Sequence, residues 1–210
     1  MALLDTIRSY AEERIQEFDQ IPEDRRALLE DIAAFVRSRR RASEPAQLTY
    51  VCTHNSRRSH IARIWAQAAA DHFGVKGVVT FSGGTEVTAF HPNAVDAMRR
   101  IGFEIEGNEK ASNPRYRVRF ATTLPPLIAV SKVYNDGENP RENFAAVMVC
   151  SSADEACPVI PGTMARIAVT YDDPKSSDDT DKMEAVYDER TRQIAREMLY
   201  CFSTVGPLPA

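Results

Sequence analysis

From Gln47 onward the sequence predicts an α/β fold, a three-layer sandwich with a central four-stranded parallel sheet, and three observations predict it. Strand-like and helix-like segments alternate along the chain: QLTYVC, then a stripe of Ile61, Trp65, Ala68, Ala69 and Phe73, then GVVTFSGG, then HPNAVDAMRRIG. After an interruption come the buried-type runs FAAVMVC and MARIAVT and a closing helix with Met183, Tyr187, Ile194, Met198 and Phe202 near one face. Such alternation builds a parallel sheet with helices on both faces. Two of the strands end in a cysteine, Cys52 and Cys150, and ligands of open sheets bind beyond the carboxyl ends of strands.

Residues 1 to about 46 precede this pattern as an N-terminal helical extension. Leu3, Leu4, Ile7, Tyr10, Ala11 and Ile15 recur at helical spacing, and Leu28, Leu29, Ile32, Phe35 and Val36 do so again, with Pro22 as a first-turn residue of the second helix. The basic cluster Arg37 to Arg41 reads as a helix C-terminus whose solvated cations face the dipole. Residues 47–210 form the main domain. Pro92 opens its second helix and Gly102 closes it. From about 104 to 143 the pattern is irregular, with Pro114, Pro125, Pro126 and Pro140 and one strand-like run, LIAVSKVY, and this reads as an insertion bordering the site.

Composition narrows the function. The chain has 210 residues, 43% of them apolar and 27% charged, as in ordinary globular proteins. A net charge of −4 lacks the positive field that nucleic acid requires, and no apolar run approaches the roughly 20 residues that span a bilayer. The opening MALLDTIRSYAEER carries acids where a signal peptide has a basic head, so a cytoplasmic protein is expected. Four cysteines are too few for a disulfide scaffold, and their chemistry matters more than cross-linking.

The stretch VCTHNSRRSH carries the first chemistry. Cys52 closes a strand, and Arg58 and Ser59 follow six and seven residues later, where a helix begins. A free cysteine with a pKa near ~8.5 is only about 3% ionised at pH 7, so a nucleophilic thiol needs a site that favours its anion. Backbone amides converging at a helix N-terminus supply partial positive charge and bind a dianion with the same groups. The residues Thr53, His54, Asn55, Ser56, Arg57, Arg58 and Ser59 are the candidate oxyanion-binding loop. Asn55 tolerates the left-handed backbone that a tight anion loop needs, the Arg58 fork can clamp two oxygens, and Ser59 can donate to the sulfur. The bland reading is a buried inert cysteine beside a surface arginine.

Two further segments matter. Asp172-Asp173-Pro174 follows the last strand-like run; as a plain turn it is unremarkable chemically, but either aspartate could give a proton to a leaving group. In Cys150-Ser151-Ser152-Ala153-Asp154-Glu155-Ala156-Cys157 six residues separate the thiols, too many for a zinc knuckle and with no second ligand pair, so no metal is expected. Cys201, beside Met198 and Phe202, reads as core. His60, His72 and His91 share no spacing and read as structural or solvated; Ser82, Gly83 and Thr85 line or support the site, and Tyr116 and Tyr134 read as packing.

In VCTHNSRRS, FSGGTE, HPNAVDAMRRIGFEI, CSSADEACPVIPG and YDDP the chain resembles the low-molecular-weight tyrosine phosphatase superfamily, and within it the thioredoxin-coupled arsenate reductases, over about residues 47 to 203. The resemblance implies the phosphotyrosine phosphatase I-like sandwich, Cys52 as nucleophile, Arg58 as oxyanion clamp, Asn55 and Ser59 as loop supports and Asp173 as general acid. It also implies arsenate reduction through a Cys52, Cys150 and Cys157 relay with a thioredoxin-like reductant. Hydrolysis of phosphotyrosine through a Cys52 phosphocysteine is the alternative, and an oxyanion or redox sensor is a third reading. His54 stands where the phosphatases often have glycine, Arg57 where a second loop cysteine is common, and Arg63 where some reductases keep a glutamate associated with potassium; no potassium site and no cofactor are expected. A homodimer is possible on this reading.

Overall fold

The computed structural model describes residues 3–157 and 159–206. Its centre is a parallel sheet of β1 (Ala46–Cys52), β2 (Val78–Gly84), β6 (Phe144–Met148) and β7 (Thr163–Ala168), in the order β2-β1-β6-β7. Around it lie helices α1 (Asp5–Ile15), α2 (Glu23–Arg41), α3 (Arg58–His72), α4 (Pro92–Ile101), α5 (Ser151–Ala156) and α6 (Met183–Ser203). β1 and β6 are buried from end to end apart from half-buried Gln47, as central strands covered on both faces must be. The chain leaves β1 toward β2 on one side and later returns as β6 on the other. Winding therefore reverses at the carboxyl ends of β1 and β6, where a crevice opens in such sheets.

Trp65 and Tyr50 are fully buried, and Trp65 packs edge-on against Phe103 with ring centroids 5.2 Å apart. α4 is punctuated as read, with Pro92 in its first turn and Gly102 left-handed at its end (φ 113°). A β-carbon at Gly102 would also lie 2.1 Å from Thr6 Oγ1 on α1, so the same glycine admits the N-terminal helix.

Three readings need correction. The helix after Pro22 starts at Glu23, with Pro22 just outside it. The cations ending α2 are not all solvated: Arg37 donates to the Thr204 carbonyl (3.1 Å) and Arg40 to the Gly206 carbonyl (2.9 Å), tying α2 to the end of α6. The stretch 104–143 is more regular than its prolines suggest. β3 (Glu104–Glu106), β4 (Tyr116–Arg119) and β5 (Leu127–Ala129) make a small antiparallel sheet, because Tyr116, Val118 and Ala129 alternate inward while charged residues face out. Only Leu127–Ala129 of LIAVSKVY is strand; the rest runs extended beside β2 and the first loop, with Gly84 N–H donating to Lys132 O (2.9 Å) and Tyr134 N–H to Gly84 O (2.9 Å).

Candidate active site

Cys52 is the last residue of β1 and Arg58 the first of α3, so the five residues between them turn the chain from sheet into helix. The carbonyls of Cys52, Thr53, His54 and Ser56 are each held by the surrounding shell: by Thr85 N (3.3 Å), Glu86 N (2.8 Å), Ser131 Oγ (3.0 Å) and His91 N (2.9 Å) respectively. In a trans peptide the carbonyl of one residue and the amide of the next point opposite ways. The amides of Thr53, His54, Asn55 and Arg57 thereby point away from the partners of those carbonyls, at the N-terminus of a 15-residue helix.

Asn55 makes this turn possible. Its φ is +43°, and its buried amide group fastens both sides of the loop: Nδ2 donates to Ser59 Oγ (2.9 Å) and Oδ1 accepts from Lys132 N (2.9 Å). Because Ser59 Oγ accepts from Asn55, its own proton is free to point at Cys52 Sγ, 3.0 Å away. Gly84 is needed beneath, since a β-carbon there would lie 2.6 Å from Thr53 O and 2.7 Å from Asn55 N. Gly83 is needed for the neighbouring segment, where a β-carbon would lie 2.3 Å from Tyr134 Cα. Thr85 Oγ1 donates to Thr53 O (3.2 Å) and so holds the loop from below, while Ser82 bonds His60 Nδ1 (3.3 Å) on α3.

Arg58 is buried and its guanidinium donates to Tyr171 O (2.8 Å) and to Asp173 Oδ2 (2.6 Å). The sequence left Asp172 and Asp173 open as alternatives; the fold brings Asp173 to the loop and turns Asp172 out to solvent, where it meets Arg190 at 3.2 Å. Asp173 also caps the short 3₁₀ turn Pro174–Ser177 by accepting from Lys175 N (3.1 Å).

Cys150 lies two residues beyond β6 and beside the same loop. The register Val51↔Met148 sets Val149 level with Cys52, and Val149 N–H donates to Val51 O at 2.8 Å. Cys150 Sγ is 3.5 Å from Thr53 Oγ1 and accepts from Ala153 N (3.3 Å) as the cap of α5. Cys157 closes α5 at the other end and is half-buried, while Cys52 and Cys150 are buried. All four thiols are free; Cys201 sits in the core, where burial pushes its thiol well above the usual range. Among the described residues no three His, Cys, Asp or Glu side chains gather as metal ligands, and no helix is long and apolar enough to cross a membrane.

Sequence reasoning missed a second charged cluster. Arg57 is buried, with Nε donating to Tyr187 Oη (2.5 Å) and Nη2 to Asp178 Oδ2 (2.6 Å). Asp178 Oδ1 also accepts from Tyr187 Oη (2.7 Å) and Asn93 Nδ2 (3.0 Å), and His91 stacks on Tyr187. These donors outweigh burial and hold the Asp178 carboxyl below the usual range; burial first, and then the bond to Asp178, push the Tyr187 hydroxyl up to about 12 against the opposing pull of Arg57. The partners are scattered over positions 57, 91, 93, 178 and 187, and no linear spacing announces them.

The relatives give the class: an enzyme, similar to arsenate reductases, in keeping with the resemblance to the low-molecular-weight tyrosine phosphatase superfamily. In particular, the arsenate reductase of Bacillus licheniformis is 27% identical over 157 residues, 75% of this chain and 94% of that protein, and the arsenate reductase of Bacillus subtilis (strain 168) is 27% identical over 158 residues with the same shares. Among solved structures, a low-molecular-weight phosphotyrosine phosphatase from Vibrio cholerae O395 superimposes with a TM-score of 0.49 at 13% identity, over 76% of this chain and 95% of that one. An arsenate reductase in its phosphate-binding state superimposes with a TM-score of 0.46 at 13% identity, over 77% and 99%. No protein-family model matches the chain.

Proposed function

We propose that the protein is an arsenate reductase working through Cys52, Cys150 and Cys157. The observation that carries this reading is the position of Cys150: its sulfur lies 3.5 Å from the hydroxyl of Thr53, the neighbour of Cys52, with a third thiol at the far end of the same short helix. A hydrolase needs neither.

In the first step the Cys52 thiolate attacks arsenic of a bound arsenate dianion, the loop amides and Arg58 hold the oxygens, and one As–O bond breaks as Asp173 gives its proton to departing water. In the resting site Asp173 pairs with Arg58. An oxyanion that takes over the guanidinium frees the Asp173 carboxyl from Arg58 to meet the departing oxygen. Next the Cys150 thiolate attacks Cys52 Sγ; the S–As bond breaks, its electron pair stays on arsenic, arsenite leaves and a Cys52–Cys150 disulfide remains. Cys157 then attacks Cys150 Sγ, which frees Cys52 and leaves a Cys150–Cys157 disulfide for a thioredoxin-like dithiol to reduce. This exchange requires α5 to unwind, since seven helical steps separate the two cysteines by roughly 10 Å and a disulfide tolerates at most about 6.8 Å between Cα atoms.

The test compares wild type with Cys150→Ser and Cys157→Ser, in arsenate reduction coupled to thioredoxin and in hydrolysis of an aryl phosphate. Both variants lose turnover with arsenate and keep hydrolysis. A wild type that consumes no reductant in the presence of arsenate sinks the reductase reading and leaves the phosphotyrosine phosphatase, which uses Cys52, Arg58 and Asp173 alone.

A further inference from the structure

The segment from Asp173 to Asp178 is strapped to the loop at both ends. Asp173 pairs with Arg58 at 2.6 Å and Asp178 with Arg57 at 2.6 Å, so consecutive arginines of the loop hold opposite ends of the short 3₁₀ turn between them. The two straps differ in kind. Asp173 is about a third exposed and makes one contact with its arginine, beside the capping bond to Lys175 N. Asp178 is more enclosed and receives donors from three elements: Arg57 of the loop, Tyr187 of α6 and Asn93 of α4. Arg57 reaches them with a fork, Nε to Tyr187 and Nη2 to Asp178, which a lysine could not reproduce.

We propose that Arg57 is a positioning residue: with Asp178 and Tyr187 it anchors the distal end of the strap, so that Asp173 can exchange Arg58 for the leaving group without the strap swinging off the site. The inference rests on the reading of Asp173 as the acid. An oxyanion must recruit Arg58 and so breaks the proximal strap at the moment Asp173 is needed. The distal strap does not touch that guanidinium and stays closed. Backbone between the two aspartates is only four residues long and is further stiffened by Pro174 and by Ser177 Oγ donating to Pro174 O (2.7 Å). Fixing Asp178 therefore limits where Asp173 can go.

Hydrolysis of two aryl phosphates isolates this role. Cys52 Sγ bonds to phosphorus as the P–O bond to the phenol breaks, and Asp173 supplies the phenol's proton; phenyl phosphate needs that proton, 4-nitrophenyl phosphate far less. For Arg57→Gln and Asp178→Asn, kcat/KM falls tenfold or more with phenyl phosphate and less than threefold with 4-nitrophenyl phosphate. Arg57→Lys, which keeps charge but not the fork, falls between wild type and Arg57→Gln, and Tyr187→Phe, which keeps the ring packing, shows the same selective loss in milder form. Equal losses on both esters, or none, overturn the inference. Asp173→Asn separates the two layers: if it shows the selective loss and the Arg57 and Asp178 variants do not, only the inference falls. If Asp173→Asn itself discriminates nothing, or wild type cleaves neither ester, the reading of the acid falls and the inference with it.

Discussion

Arg58 and Asp173 face each other across the mouth of the first loop at 2.6 Å, so the group proposed to clamp the substrate is occupied by the group proposed to protonate it. An incoming dianion must compete with a carboxylate for one guanidinium. Removing the competitor strengthens anion binding and weakens chemistry together. For Asp173→Ala we expect inorganic phosphate to bind about three- to tenfold more tightly, in line with about 1 kcal/mol for a partly exposed ion pair, while turnover drops by 10² or more. Phosphate inhibition constants alongside turnover check this; looser phosphate binding in the variant would contradict it.

Asn55 carries two loads that separate by substitution. Asn55→Gly relieves the left-handed backbone but strands the Lys132 amide and frees Ser59, whereas Asn55→Ala does both harms at once. A buried amide left unsatisfied costs about 1–3 kcal/mol, and an alanine held left-handed costs roughly 1–2 more. The Ala variant should therefore unfold at lower urea than the Gly variant, and both below wild type. A reversed order would mean that the backbone strain is negligible here.

The sheet, the loop and its ends were legible because strand and helix periodicities are local and because the residues turning strand into helix are contiguous. Asp173 was legible only as one of two, since the choice depends on which side chain the turn aims at Arg58. The Arg57 cluster was not legible, because Asp178 and Tyr187 reach the loop through tertiary packing of α4 and α6. The second sheet was obscured by prolines that fall between its strands rather than within them, at Pro114, Pro125 and Pro126. Gly83 and Gly84 were visible as glycines, while the reason for them, the backbone of Tyr134 on one side and of Thr53 and Asn55 on the other, exists only in three dimensions.

Gly84→Ala should consequently damage the loop more than the sheet. The β-carbon would meet the backbone of Thr53, Asn55 and Glu86, none of which is a flexible chain end that can yield. Overpacking of this sort costs typically about 1–3 kcal/mol, and here the displaced atoms are those of the loop proposed to hold the anion. Phosphate binding, measured calorimetrically on the folded variant, should fall by at least tenfold. Retention of wild-type affinity would show that the loop tolerates the shift.

His60 makes stability depend on acid. It is fully buried, stacked on Phe90 at 4.3 Å, and burial first, then Arg63 and Lys132, depresses its pKa to about 3. In the unfolded chain it titrates near ~6.5. Between those values only the unfolded state binds the proton, so the stabilisation is complete above about pH 6.5 and is lost as pH falls toward 3, at about 1.4 kcal/mol per pH unit. Going from pH 7 to 5, wild type should lose about 2 kcal/mol through this group and His60→Gln should lose none of it. Urea midpoints of both proteins at the two pH values give the difference; parallel losses would mean that His60 is protonated when folded.

Arg166 is placed to govern how readily α5 unwinds. From β7 its Nε donates to the Cys157 carbonyl (3.0 Å) and its Nη2 to the Asp154 carbonyl (2.5 Å), and it pairs with the Asp154 carboxylate (2.5 Å). Those contacts pin the end of the helix that must move if Cys157 is to reach Cys150. A six-residue helix has little stability of its own, so the pin supplies much of what holds it. Arg166→Met keeps the aliphatic cover and removes the donors, and it should speed formation of the Cys150–Cys157 disulfide about fivefold or more, which the roughly 1.5–3 kcal/mol carried by a hydrogen bond to a charged group readily allows. Acid quenching at intervals after one arsenate turnover, followed by mass mapping of the disulfides, measures that rate. An unchanged rate would place the barrier elsewhere than in the unwinding of α5.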